Sequence, residues 1–277
     1  METIAFYSYT EGAGRSLFLA YAARHLARLG KRVVALDLDL EAPGLHYKLL
    51  DEAECTIWDN AMGGAVPYLI AAAQGAPPPL ESHLYGVDER EQDKGGWLRL
   101  MPAGPAPTKA YWIALKQLGE QVRFTDPSGL GLMLLLDLHA RIEDELEPDY
   151  LLIDVRPGVT ELGGLATTVL AETVVCLFEA TRESLEGTLT MIEAMQAAPR
   201  LKGRQPVRAV PVLSQSENEP SRQEQHLEEG LKRLLRLGQD RLLLLRGAHE
   251  RRPYMEPEML QALFLSVPAG DQEALGA

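Results

Sequence analysis

Only two cysteines, Cys55 and Cys176, occur in 277 residues, and they lie far apart. A disulfide framework or a cysteine-based metal site needs more of them at closer spacing. Cys176 falls within an apolar run and reads as a buried core thiol. The six histidines, His25, His46, His83, His139, His226 and His249, show no ligand spacing and read as structural or solvated. No apolar run reaches the ~18 residues that a membrane span needs. No C-terminal amphipathic helix of the membrane-targeting kind is legible, so no membrane partner is expected. No charged n-region precedes the apolar start, so no secretory signal is expected and a cytoplasmic location follows. Positive charge is scarce as well: 27 Lys and Arg face 40 Asp and Glu, giving a net charge of −13. Sequence-independent nucleic-acid binding needs a basic stripe, so no nucleic-acid partner is expected. The small cluster His249 to Arg252 is explained by salt bridging to an acidic protein. Internal repeats and coiled-coil heptads are absent.

What is present is an ordinary α/β composition, 46% hydrophobic and 24% charged. That supports a sizeable core in one domain, residues 1–268, with a less regular insertion at about 46–95 and a frayed tail over 269–277. The chain is organised around Ile4 to Leu17. An apolar strand (3–9) leads into a loop with two glycines (10–15). A helix follows from Ser16 to Leu29, with Leu19, Ala22, Ala23, Leu26 and Leu29 at helical spacing. Gly30 ends it. Val33 to Asp37 is a second strand, and strand, helix, strand at this length makes a βαβ unit with two parallel strands. Glycines let backbone N–H groups close around an anion, and the helix N-terminus adds partial positive charge. Asp37, Asp39 and Glu41 project at the same carboxyl edge, where ligands of open α/β sheets gather. Acidic residues beside a phosphate loop make sense with Mg²⁺ between them.

Further along, Ala76 to Pro79 breaks any helix, and Asp88 to Lys94 reads as a charged exposed loop. Trp97 to Met101 is a short strand, and helices are predicted over 107–122 and 129–146. Tyr150 to Asp154 is the most strand-like segment, an apolar run ending in a carboxylate. Helix is predicted from Glu161 to Glu172, strand from Thr173 to Phe178, helix from Glu183 to Ala197 and strand from Arg208 to Leu213. A charged amphipathic helix (223–237), a short strand (241–245) and a last helix (256–264) complete the chain. The fold class is α/β: a three-layer sandwich with a mostly parallel sheet and helices on both faces.

Three ordered segments carry a resemblance. Tyr7-Ser8-Tyr9-Thr10-Glu11-Gly12-Ala13-Gly14-Arg15-Ser16, the element Asp37 to Leu45 (D-L-D-L-E-A-P-G-L), and Leu152 to Gly164 (L-I-D-V-R-P-G-V-T-E-L-G-G) resemble the deviant Walker A P-loop ATPases of the ParA/MinD/CobQ group. Among them the subgroup with a K-G-G-V-G-R loop is the nearest in pattern. The resemblance implies a SIMIBI-like P-loop NTPase fold, ATP and Mg²⁺ as cofactors, a nucleotide-dependent homodimer and a protein partner of unknown identity. It implies that Glu11, Gly12, Ala13, Gly14, Arg15, Ser16 and Leu17 wrap the phosphates. Ser16, Asp37, Asp39 and Asp154 would serve the metal, and Asp39 would orient the attacking water. Ser214 and Gln215 would meet the base.

Two positions depart from the pattern. Thr10 stands where the group has its signature lysine, and Glu11 stands where it has glycine. Thr10 cannot supply the charge, and the Glu11 carboxylate repels a triphosphate by on the order of a kcal/mol at close range. A Cβ at Glu11 is also strained if that position needs φ above zero. Two functions are therefore compatible with the sequence. One is an ATP-dependent dimerisation switch with slow or impaired hydrolysis; the other is a degenerate, non-hydrolysing P-loop domain acting as a scaffold or regulator. For the loop by itself, a tight turn that binds nothing stays open. Asp154 as a plain strand-end cap stays open too, as does Arg156 contacting phosphate, a partner or an acidic side chain.

Overall fold

Strand β1 (Glu2–Ser8) is apolar from Ile4 to Tyr7, and every residue from Thr3 to Ser8 is buried. A strand with no polar face must be covered on both sides, which places it at the centre of a parallel sheet. The computed structural model describes residues 1–51, 63–87, 95–124, 126, 129–199, 205–215, 233 and 243–246. The predicted helices at 223–237 and 256–264, the loop 88–94, the tail and Cys55 lie outside the described residues, apart from Arg233.

The other strands are β2 (Arg32–Leu38), β3 (Tyr85–Gly86), β4 (Trp97–Met101), β5 (Tyr150–Val155), β6 (Thr173–Glu179), β7 (Arg208–Gln215) and β8 (Leu243–Arg246). They form one eight-stranded sheet in the order β3-β4-β2-β5-β1-β6-β7-β8. Every pairing is parallel except the two-residue edge strand β3, which runs antiparallel to β4. The mostly parallel sheet expected from the βαβ pattern is therefore present. The chain steps from β1 outward to β2 and β4, returns through β5, and continues on the far side through β6 and β7. That reversal beside β1 is a topological switch point, where the carboxyl ends of the strands open a crevice.

Because side chains alternate along each strand, the sheet carries two cores. On one face Ile4, Phe6, Val33, Ala35, Leu152 and Val175 pack under α1 (Arg15–Arg28) and α2 (His46–Leu49). On the other, Ala5, Tyr7, Leu36, Ile153, Val174 and Cys176 pack under α3 (Ala65–Ala73), α4 (Lys109–Gln121), α5 (Leu130–Leu146) and α7 (Arg182–Ala197). Helices on both faces of one sheet make the three layers. Burial pushes the Cys176 thiol up to about 12, as suits an inert core residue.

Helix α1 forms because Phe18, Leu19, Ala22, Ala23 and Leu26 line one buried face. It ends in a Schellman motif: Gly30 N–H donates to Ala27 O at 2.9 Å and Lys31 N–H to Leu26 O at 3.0 Å.

Within the stretch read from sequence as a less regular insertion, 46–95, α3 buries Val66, Tyr68 and Leu69 in the core. Ala65 and Val66 N–H groups donate to Pro102 O and Ala103 O, both at 2.8 Å, which ties the helix to the end of β4. One expectation needs correction: the helix predicted from Glu161 to Glu172 is shorter. Helix α6 (Glu161–Leu165) gives way to a wide turn over Ala166–Leu170, closed by Ala171 N–H on Ala166 O at 3.0 Å. Gly163 and Gly164 weaken the helix there. The Thr167 and Thr168 hydroxyls donate back to their carbonyls at 2.8 and 2.7 Å, competing with the regular ladder.

Gly187 in α7 sets the position of Tyr9, the residue that follows β1. A Cβ at Gly187 would overlap the Tyr9 ring at Cγ, Cδ1 and Cε1. In an ordinary helix interior, Gly→Ala stabilises by about 1 kcal/mol. Here Gly187→Ala is expected to destabilise by about 1–3 kcal/mol through overpacking. Chemical denaturation of the variant checks the sign, and a stabilised variant would mean that Tyr9 is free to move aside.

Candidate functional site

The loop after β1 turns through two left-handed glycines, Gly12 with φ 86° and Gly14 with φ 77°, around the buried Ala13. Side chains with a Cβ adopt that region at a cost, so these two positions need glycine. Gly14 caps α1, and its carbonyl accepts the Phe18 N–H at 2.9 Å. The N–H groups of Arg15, Ser16 and Leu17 precede any intrahelical acceptor and belong to the positive end of the helix. They line a cleft of about 400 Å³ together with Glu11 and Gly12. That is a size and chemistry suited to an anionic ligand.

Glu11 is exposed, and its φ is not positive: Glu147 is the only non-glycine residue with positive φ among the described residues. The strain considered for Glu11 is therefore absent, and its effect is purely its charge. Thr10 is engaged within its own chain. Its hydroxyl donates to Ser184 Oγ at 3.0 Å, and that oxygen also accepts the Glu179 N–H at 3.1 Å.

Register brings the acids together. Asp37 of β2 lies opposite Asp154 of β5, one strand from β1. Asp37 is fully buried, and both its oxygens are used by backbone. Oδ1 accepts Asp39 N–H at 3.0 Å and Oδ2 accepts Leu45 N–H at 3.2 Å. It thereby shapes the segment after β2. Burial raises its pKa well above the usual carboxylate range, the Asp154 charge raises it further, and the Leu45 N–H opposes the shift.

Arg15 closes the site from above. Its side chain is 7% exposed, its Nε donates to Asp154 Oδ1 at 2.5 Å and its Nη2 to Asp39 Oδ2 at 2.7 Å. Burial disfavours the Arg15 cation, but Asp154 and Asp39 more than restore it, and its pKa stays above the ordinary value. Asp39 lies above its ordinary value because burial outweighs the pull of Arg15. Arg156, left open between three roles by sequence, pairs with Glu41 at 2.6 Å and stands 3.9 Å from Asp39 Oδ1. The segments after β2 and β5 are thus linked across the cleft mouth.

The expected residues are placed as follows. Glu11, Gly12, Ala13, Gly14, Arg15, Ser16, Leu17 and Asp39 all line the cleft. Asp37 and Asp154 lie buried beneath Arg15 and do not reach it. Ser214 is buried at the end of β7, in register with Glu179 of β6, and is not part of the cleft lining. Gln215 follows it in β7, paired with Arg246 of β8, and its side chain lies outside what is described. Sequence reasoning missed Lys48, which stands on the exposed side of α2 and lines the cleft. The D-L-E-A-P-G-L segment just before α2 was the available signal.

A divalent ion is implied by the resemblance, so the fit of its four expected residues matters. Two carboxylates already hold the Arg15 guanidinium, Asp37 has both oxygens on backbone donors, and Ser16 Oγ lies 3.5 Å from Arg15 Nη2. Among the described residues no group of three or more His, Cys, Asp or Glu is arranged to hold a metal ion. As placed, these residues do not fit a divalent cation.

A mostly parallel sheet between two helical layers, with a glycine loop at the switch point, is a doubly wound α/β architecture. More narrowly, the chain has the fold of the ParA and MinD ATPases. It superposes on a plasmid partition protein from Borrelia burgdorferi with TM-score 0.62 at 16% identity, covering 95% of this chain and 98% of that one. It is similar to the cell division ATPase MinD from Pyrococcus furiosus, with TM-score 0.56 at 18% identity over 83% and 79% of the two chains. It is also similar to the septum site-determining protein MinD complexed with Mg-ADP from Pyrococcus horikoshii OT3. That superposition gives TM-score 0.53 at 17% identity over 96% and 78%. No protein-family model and no curated protein sequence matches the chain.

Proposed function

We propose that this chain is a nucleotide-binding switch of the ParA/MinD kind, with a loop of the K-G-G-V-G-R variant type. It binds ATP by the phosphates, self-associates when loaded and hydrolyses slowly. The observation that carries this reading is the pair of left-handed glycines that turns the first-turn N–H groups of α1 into the cleft beside Asp39 and Lys48. The loop from Glu11 to Leu17 cradles the phosphates, and Arg15 keeps the positive charge that most P-loops take from lysine. Asp39 is the residue to orient the attacking water, and Ser214 with Gln215 remain the candidates to meet the base. Slow hydrolysis is supported by Thr10 being bound inward to Ser184, which leaves no cation to reach a partner's nucleotide. It is supported also by Asp39 being engaged by Arg15 and approached by Arg156.

Isothermal titration with ATP tests the binding, and no heat at millimolar nucleotide would sink the reading. For catalysis, Asp39→Ala is expected to abolish phosphate release while ATP still binds. Persistent turnover in that variant removes the water-orienting role.

A second reading, a scaffold or regulatory domain that no longer hydrolyses ATP, is favoured by the same Arg15–Asp39 pair and by Glu11 in the cleft. Size-exclusion chromatography with and without ATP separates the two, since only the switch changes its oligomeric state with nucleotide.

A further inference from the structure

We propose that Arg15 is the resident cation of this site. Its guanidinium stands between Asp39 and Asp154, where a divalent ion would otherwise be held. The loop then takes nucleotide phosphate with little dependence on metal, and the nucleotide-free protein binds free divalent ions weakly.

The geometry is specific to arginine. Nε reaches Asp154 at 2.5 Å while Nη2 reaches Asp39 at 2.7 Å, so one planar group spans two carboxylates from two different strands. A lysine carries one compact ammonium and cannot offer two separated donor faces in this way. Asp154 keeps Oδ2 buried and unpaired, but a divalent ion placed there would sit against the buried Arg15 cation. The remaining expected ligand, Asp37, is fully buried and holds a backbone N–H on each oxygen, Asp39 N–H on Oδ1 and Leu45 N–H on Oδ2, so a metal ion would compete with the bonds that shape the segment after β2.

The arrangement also keeps a free hand for the ligand. Arg15 lines the cleft, and its Nη1 is a buried donor without an acceptor among the described residues. A buried unpaired donor on a cation is costly, and a phosphate oxygen is the acceptor that suits it. The same guanidinium thus neutralises the acids with Nε and Nη2 and keeps Nη1, buried as the protein stands, as the donor left over for phosphate.

The phosphate arm of this inference rests on the nucleotide reading above; the metal arm does not. For the first, ATP affinity is measured by titration calorimetry in magnesium chloride and again in EDTA. The two Kd values are expected to agree within about threefold, and an affinity about a hundredfold higher with magnesium overturns the proposal. For the second, Mn²⁺ binding is followed by electron paramagnetic resonance on the full chain without nucleotide. Arg15→Gln, which keeps much of the side chain's size, and Arg15→Ala are each expected to bind Mn²⁺ at least about tenfold more tightly than wild type. Wild type that binds Mn²⁺ as tightly as the variants overturns the proposal, and a tight Mn²⁺ site in wild type does so even if neither variant folds. Absence of ATP binding in both buffers would defeat the nucleotide reading alone, and the manganese measurement would still decide the role of Arg15.

Discussion

Replacing Thr10 by lysine together with Glu11 by glycine is expected to raise ATP turnover roughly a hundredfold, the lower end of the scale on which one well-placed donor acts on a developing anion. Two effects combine. Thr10 now spends its hydroxyl on Ser184, 3.0 Å away, and carries no charge; lysine would add a cation long enough to leave that pocket. Glu11 lines the cleft as a carboxylate, and removing it lifts a repulsion on the order of 1 kcal/mol at about 4 Å in water. The cost to the fold is small, because Glu11 is exposed and one lost hydroxyl hydrogen bond is worth about 1 kcal/mol. Steady-state phosphate release, read beside thermal unfolding of the same samples, checks this. Unchanged turnover in a folded double variant would move the blockade to the Arg15–Asp39 pair.

The largest effect on stability is expected at Phe18. It projects from α1 into the core, fully buried, and meets Phe6 edge-on, with ring centroids 5.8 Å apart. Phe18→Ala removes that contact and opens a cavity between helix and sheet, at a cost of about 3–5 kcal/mol. In a chain of this size the unfolding midpoint is expected to fall by roughly 6–20 °C. Calorimetric or circular-dichroism melting measures it. A fall of only a degree or two would show that α1 is not the cover of this face.

Much of the fold was legible because the local signals agree with one another. The apolar runs of β1, β2, β5 and β6 read as buried parallel strands, and α1 reads as amphipathic with a glycine stop. The glycine loop and the acids at the strand ends were legible for the same reason: their place follows from the βαβ order. Helix α3 was not. Its sequence, Ala-Val-Pro-Tyr-Leu-Ile-Ala-Ala-Ala, is apolar all round, so it has no period to detect, and only burial makes it a helix. The two-residue β3 is too short to carry a pattern. The wide turn after α6 depends on threonine hydroxyls bonding back to glycine carbonyls, which composition does not reveal. At the site, sequence identifies Arg15 as a cation beside a glycine loop but not the direction of its side chain. That direction is set by Asp154, 139 residues away, and by Asp39.

The place of β5 between β1 and β2 has a consequence for how the site comes into being during synthesis. The glycine loop, α1 and β2 are complete within the first 38 residues, yet β1 and β2 share no ladder; each pairs with β5 instead. Until Tyr150 to Val155 emerges and slides between them, the loop has no floor and Arg15 lacks one of its two acids. Closing that gap spans more than a hundred residues, a slow, non-local step of folding. A nascent chain halted before Tyr150 therefore carries the whole glycine loop but no assembled pocket, and the cleft is completed only with the insertion of the middle strand.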